Sequence, residues 1–94
     1  MQYIDVQWFH EHAGEPVRLV SELDCERFEL RKLEFFRDGT VGAASANGAA
    51  HGTSLGTVPV PALDEINGDP AFSGAEVPPE VFEELWRLYA PFAA

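Results

Sequence analysis

The chain has 94 residues, enough for one domain with a single core and too few for two domains with a deep cleft between them. Apolar residues make up 46% and aromatics 12%, a globular balance that excludes disorder for the bulk of the chain. Sixteen acids against six bases give a net charge of −10, so phosphate backbones and anionic lipid heads are repelled, and no nucleic-acid or membrane partner is expected.

Residues 2–10 alternate, with Ile4, Val6 and Trp8 on one side and Tyr3, Asp5 and Gln7 on the other, which predicts a first strand. Turn formers in HEHAGEP precede a second strand over 16–23, in which Val17, Leu19 and Leu23 share a face. A third strand spans 27–37. Its apolar parity slips from even (Phe28, Leu30) to odd (Leu33, Phe35), which predicts a β-bulge at Arg31-Lys32. Asp38-Gly39 suits a two-residue type I′ turn that sets Phe36 opposite Val41 and leads into a fourth strand over 40–44.

From Gly42 to Thr57 the composition turns to Gly, Ala, Ser, Asn and Thr, so a long loop is expected over 45–57. Val58-Pro59-Val60-Pro61 is extended because each valine precedes a proline. Residues 61–67 form a short helix closed by Asn67-Gly68, and Asp69-Pro70 repeats the helical start signal on a smaller scale. The last helix, 79–90, carries Val81, Phe82, Leu85, Leu88 and Tyr89 as one apolar stripe. The expected fold is therefore α+β: a four-stranded antiparallel sheet with the C-terminal helix on one face and one or two short helical turns.

Cys25 is the one cysteine and has no partner for an internal disulfide, which fits a reducing compartment. The N-terminus MQYIDVQWFH lacks the basic and long apolar regions of a signal peptide, and no apolar run reaches the roughly 20 residues of a membrane helix, so a cytoplasmic protein is expected.

Four features invite a chemical reading. Gly52-Thr53-Ser54-Leu55-Gly56 fits G-x-S-x-G, but a nucleophile elbow needs a strand before the serine, a helix after it and a histidine later in the chain. None of these is present, so Leu55 is expected to anchor the loop in the core and Ser54 to be dispensable. His10 and His12 flank Glu11 as an H-x-H pair that, with His51 or Glu15, could bind zinc, although no fourth ligand is placed by spacing. The pairs Asp64-Glu65 and Glu83-Glu84 point in different directions from a helix and mark solvated faces. Trp86 lies off the centre of the helix stripe, at the domain edge or against a partner, whereas Trp8 belongs with the core. Arg18, Arg31, Lys32 and Arg37, interleaved with Glu22, Glu29 and Glu34, read as cross-strand ion pairs on one sheet surface.

The runs RKLEFFRDG, LGTVPVP and EINGDPAF, with YIDVQWFH and EPVRLVSELD before them, resemble a family of small acidic bacterial proteins classified as a domain of unknown function. The resemblance spans nearly the whole chain and implies no catalytic residue.

Charge is uneven: residues 1–37 hold five bases with eight acids, and residues 38–94 hold eight acids with Arg87 alone. Such a field suits a basic protein partner. The expected function is a non-enzymatic, acidic protein-binding domain without cofactor, of the immunity or antitoxin kind, with Trp86, Glu83, Glu84, Asp64 and Glu65 as its contact residues. The domain is expected to be a monomer or, by strand-edge pairing, a homodimer. The alternatives are a small metal-binding or hydrolytic enzyme using His10, His12 and the 42–57 loop, and a small-molecule sensor or structural module.

Overall fold

The computed structural model describes residues 1–91. Its strands are β1 (Gln2–Trp8), β2 (Pro16–Leu23), β3 (Glu29–Phe36), β4 (Val41–Ser45), β5 (Gly48–Ala50) and β6 (Phe72–Glu76), with helices α1 (Leu63–Asn67) and α2 (Pro79–Tyr89). The class is α+β, as expected, but the antiparallel sheet has six strands and not four, in the order β5-β4-β3-β2-β1-β6.

Both extra strands lie where local signals are weak. β5 falls inside the expected 45–57 loop: Ala43, Ala44 and Ser45 pair with Ala50, Ala49 and Gly48, so alanines that carry little strand propensity are drafted by their neighbours. β6 replaces the second helical start. Asp69 does accept the Ala71 N–H at 2.9 Å, yet this closes a turn and not a helix, and Phe72 onward then pairs with β1.

Two register details also differ. The bulge in β3 lies at Leu30, one residue before the expected slip, because Arg31 faces Glu22 while Glu29 faces Leu23. The β3–β4 connection is a three-residue loop: Phe36 donates to the Thr40 carbonyl at 2.9 Å, and Phe35, not Phe36, stands opposite Val41. Asp38 accepts the Thr40 N–H at 2.9 Å, and only Gly39 (φ +92°) takes the left-handed conformation, so one glycine suffices for the turn.

Each face of the sheet has its own core. On one, Val20, Leu33 and Ala43 are buried under Phe82, Trp86 and Ala90, with Tyr3, Phe35 and Leu85 at the margin. On the other, Ile4, Val6 and Leu23 are covered by Val60, Leu63, Ile66 and Phe72. α2 starts with Pro79, whose missing N–H costs nothing in a first turn. Its buried line, Phe82-Trp86-Ala90, is rotated from the expected stripe, which leaves Val81, Leu88 and Tyr89 exposed.

Arg31 explains the rotation. Its guanidinium lies 4.8 Å from the Phe82 ring centroid and 5.3 Å from that of Trp86. It also bonds Glu22 at 2.7 Å and Glu83 at 2.8 Å, so it ties α2 to the sheet through stacking and charge together.

Candidate functional site

The face opposite α2 holds the most apolar of the cavities found among the described residues. A cavity of about 340 Å³ has Ile4, Val6 and Leu19 of the sheet as its floor and Val60, Ile66 and Phe72 as its walls; Ser21, Glu29, Glu65 and Asp69 also line it. The pleat supplies the floor, because Ile4 pairs with Ser21 and Val6 with Leu19, which puts all four on one side. α1 reaches this side by lying against Gly74, where an added Cβ would meet Leu63 at 3.1 Å and Val6 at 3.2 Å.

Arg27 fixes the remaining wall. Sitting in a left-handed conformation (φ +69°), it donates to the Val60 carbonyl at 2.8 Å, to the Pro61 carbonyl at 2.7 Å and to the Gln2 side chain, while its own carbonyl accepts the Val60 N–H at 2.8 Å. The Val58–Pro61 segment is therefore strapped to the sheet by one side chain.

At one end of the cavity is a nearly buried charge cluster. Lys32 Nζ lies 3.2 Å from Glu29 Oε1 and 3.9 Å from Glu34 Oε2, and these three side chains are 11%, 9% and 16% exposed. The Leu30 bulge creates it, since an unbroken strand would turn Glu29 to the α2 side, away from Lys32 and Glu34. Glu34 Oε1 accepts from the Thr53 hydroxyl at 2.8 Å, and Glu29 Oε1 accepts the Gly56 N–H at 2.5 Å. Two carboxyl groups share one amine, so acids outnumber bases in the cluster.

These bonds revise the part of the GTSLG segment. Thr53, 2% exposed, is its anchor, and Leu55 is only half-buried. Ser54 is exposed and lines a polar cavity of about 440 Å³ with His51, Lys32 and Glu34, and among the described residues no hydrogen bond joins it to His51.

The histidines do not assemble. His10 Nε2 donates to the Pro16 carbonyl at 2.8 Å and Nδ1 accepts the His12 N–H at 2.9 Å, so both ring nitrogens hold the β1–β2 turn. His12 stacks on His10 at 5.4 Å, and His51 sits in the turn after β5. Among the described residues no group of three or more His, Cys, Asp and Glu side chains is arranged to hold a metal ion.

The acidic residues expected at a contact surface fall into two sets. Glu83 bonds Arg31 and Glu84 bonds Arg87 at 2.6 Å; these hydrogen bonds hold both carboxyls below the usual carboxylate range. Asp64 and Glu65 on α1 are exposed and have no cation within ion-pair distance, and Glu65 lines the cavity. Trp86 is 8% exposed and belongs to the α2 core, so a partner would meet little of it. Trp8 is half-buried, stacks on Phe72 at 5.8 Å and meets the His10 ring at a tilt with centroids 4.2 Å apart.

All six basic side chains are engaged internally. Arg18 grips Asp5 at 2.7 Å, Arg37 donates to the His10 carbonyl at 2.5 Å, and Arg27, Arg31, Lys32 and Arg87 are held as described. The expected ion pairs exist but on two faces and not one, because Arg18 and Arg31 point toward α2 while Lys32 points away. Six of the sixteen carboxylates join these pairs, and the other ten have no counter-ion among the described residues.

A family model described as "Domain of unknown function (DUF6881)" matches residues 2–91. The chain belongs to this family. No curated protein and no solved structure matches it. The family description names no activity, so function is argued from the site. Sequence reasoning put Ile4 and Val6 on one face of β1 and Leu63 and Ile66 on one side of α1, but assigned no cavity to them. It missed Phe72, Glu29 and Thr53, and the parity slip in β3 was the one signal that could have placed Glu29.

Proposed function

We propose that the chain is a non-enzymatic, acidic protein-binding domain whose α1 face receives a basic partner. The supporting observation is the charge arrangement: every basic side chain is engaged inside the domain, and ten carboxylates are left without counter-ion. Among the described residues only Arg27, Arg37 and the N-terminal amine stand outside an ion pair, too few to cancel the field of ten unpaired carboxylates. Two of the ten, Glu65 and Asp69, stand at an apolar cavity, which pairs long-range attraction with a place for a buried anchor.

A monomer suits this role. Asn67 donates to the Gly74 carbonyl at 2.9 Å and accepts its N–H at 2.6 Å, so a side-chain amide occupies the outer edge of β6 where a second sheet would otherwise add. In its narrower form the proposal is a cytoplasmic immunity or antitoxin-like inhibitor that masks a basic toxin. Co-expression with the basic products of neighbouring genes tests it. A salt-sensitive complex on size-exclusion chromatography, with rescue of growth, is expected; absence of both counts against the reading.

A further inference from the structure

We propose that the cavity under α1 is a pocket for one lysine or arginine side chain of the partner protein, with the aliphatic stem on the apolar floor and the cationic head among Glu29, Glu65 and Asp69. This rests on the protein-binding reading and specifies where the partner's anchor goes.

Three observations carry it. The volume of about 340 Å³ lies at the lower end of small-ligand sites, suited to one extended side chain and not to a folded element. Ile4, Val6, Leu19 and Phe72 give the stem a dry surface, and long cationic side chains bury such stems readily. Glu29 supplies the counter-charge from inside. Its side chain is 9% exposed and its Oε1 is taken by Lys32 and Gly56, but its Oε2 has no hydrogen-bond partner among the described residues. Lys32 alone serves both Glu29 and Glu34, so a second cation would bring that cluster to neutrality. An anionic or neutral occupant would gain none of this.

The test is an NMR titration of the ¹⁵N-labelled full chain with n-hexylammonium, 1-hexanol, spermidine and a lysine tripeptide with blocked ends. Saturable shifts from hexylammonium and from the tripeptide are expected at the amides of Val6, Leu19, Val60, Ile66 and Phe72. Hexanol should bind about tenfold more weakly. The exposed pair of changes Glu65→Gln and Asp69→Asn should weaken the tripeptide by a similar factor, whereas Glu11→Gln with Glu80→Gln, equal in charge, should leave it unchanged. Equal binding of hexanol, shifts spread over all acidic residues, no saturation, or spermidine binding well above the tripeptide would each overturn the inference. If these results arise while a salt-sensitive complex with a basic protein still forms, the protein-binding reading stands and only the pocket fails.

Discussion

Gly42→Ala tests how the 50–56 segment is seated on the sheet. A Cβ at Gly42 would stand 1.9 Å from Thr53 Oγ1 and 3.0 Å from Thr53 Cβ, far inside contact distance. Thr53 cannot turn aside cheaply, since it is 2% exposed, β-branched and bonded to Glu34 at 2.8 Å. The substitution must displace it, losing a hydrogen bond to a charged acceptor and the burial of its methyl group. Together these amount to about 2–4 kcal/mol, or a fall in Tm of roughly 10–25 °C for a domain of this size. Urea denaturation of Gly42→Ala, Thr53→Ala and the double variant measures the coupling. With Oγ1 removed, Gly42→Ala should cost less than in the native chain, the remaining cost coming from the residue-53 Cβ at 3.0 Å and the Ala50 carbonyl at 3.2 Å. Equal cost in both backgrounds would refute the account of the segment.

Further predictions concern the other fastenings. Ser54→Ala should change stability by less than about 0.5 kcal/mol, whereas Thr53→Ala should cost about 1–3 kcal/mol, as measured by the same denaturation. Arg31→Met strands Glu22, whose side chain is 9% exposed, and should cost about 2–3 kcal/mol, somewhat below the figure for a fully buried pair because Arg31 is 21% exposed. Hydrogen bonds from Arg31 lower the pKa of Glu22 and Glu83, so these groups bind protons more weakly folded than unfolded. Their stabilisation is full above the unfolded value of 4.5 and fades as pH falls through the lower folded values. Urea midpoints taken from neutral to acidic pH should therefore fall less steeply for Arg31→Met than for the native chain. Arg27→Ala should release the 58–61 strap, seen as loss of hydrogen-exchange protection at the Val60 amide with little change in β3 and β4.

How far the sequence foretells this structure depends on whether a signal is local. Ile4, Val6 and Trp8 alternate within one strand, and Pro79 to Tyr89 carry their own start and stop, so the existence and bounds of β1 and α2 could be read directly. β5 and β6 could not. Gly48-Ala49-Ala50 has no pattern of its own, and Phe72–Glu76 alternates too weakly to outweigh the Asp69-Pro70 helical start beside it. Both become strands because a neighbour offers backbone partners. The α2 stripe was set wrongly for a related reason: hydrophobicity ranks Leu88 with Trp86, but only Trp86 stacks against Arg31 from another strand. The candidate site suffered most, since it joins β1, β2, β3, α1 and the start of β6, and Glu29 enters it only through a bulge one residue from where parity alone put it.

The central claim is that the α1 face, and not α2, meets a basic partner. Hydrogen exchange on a complex with a basic protein encoded beside this chain, compared with the free domain at low salt, tests it most directly. Slowed exchange at Val60, Ile66 and the outer edge of β6 is predicted, fading as salt is raised. Protection confined to α2 or to the β5 edge, and unchanged by salt, would contradict it.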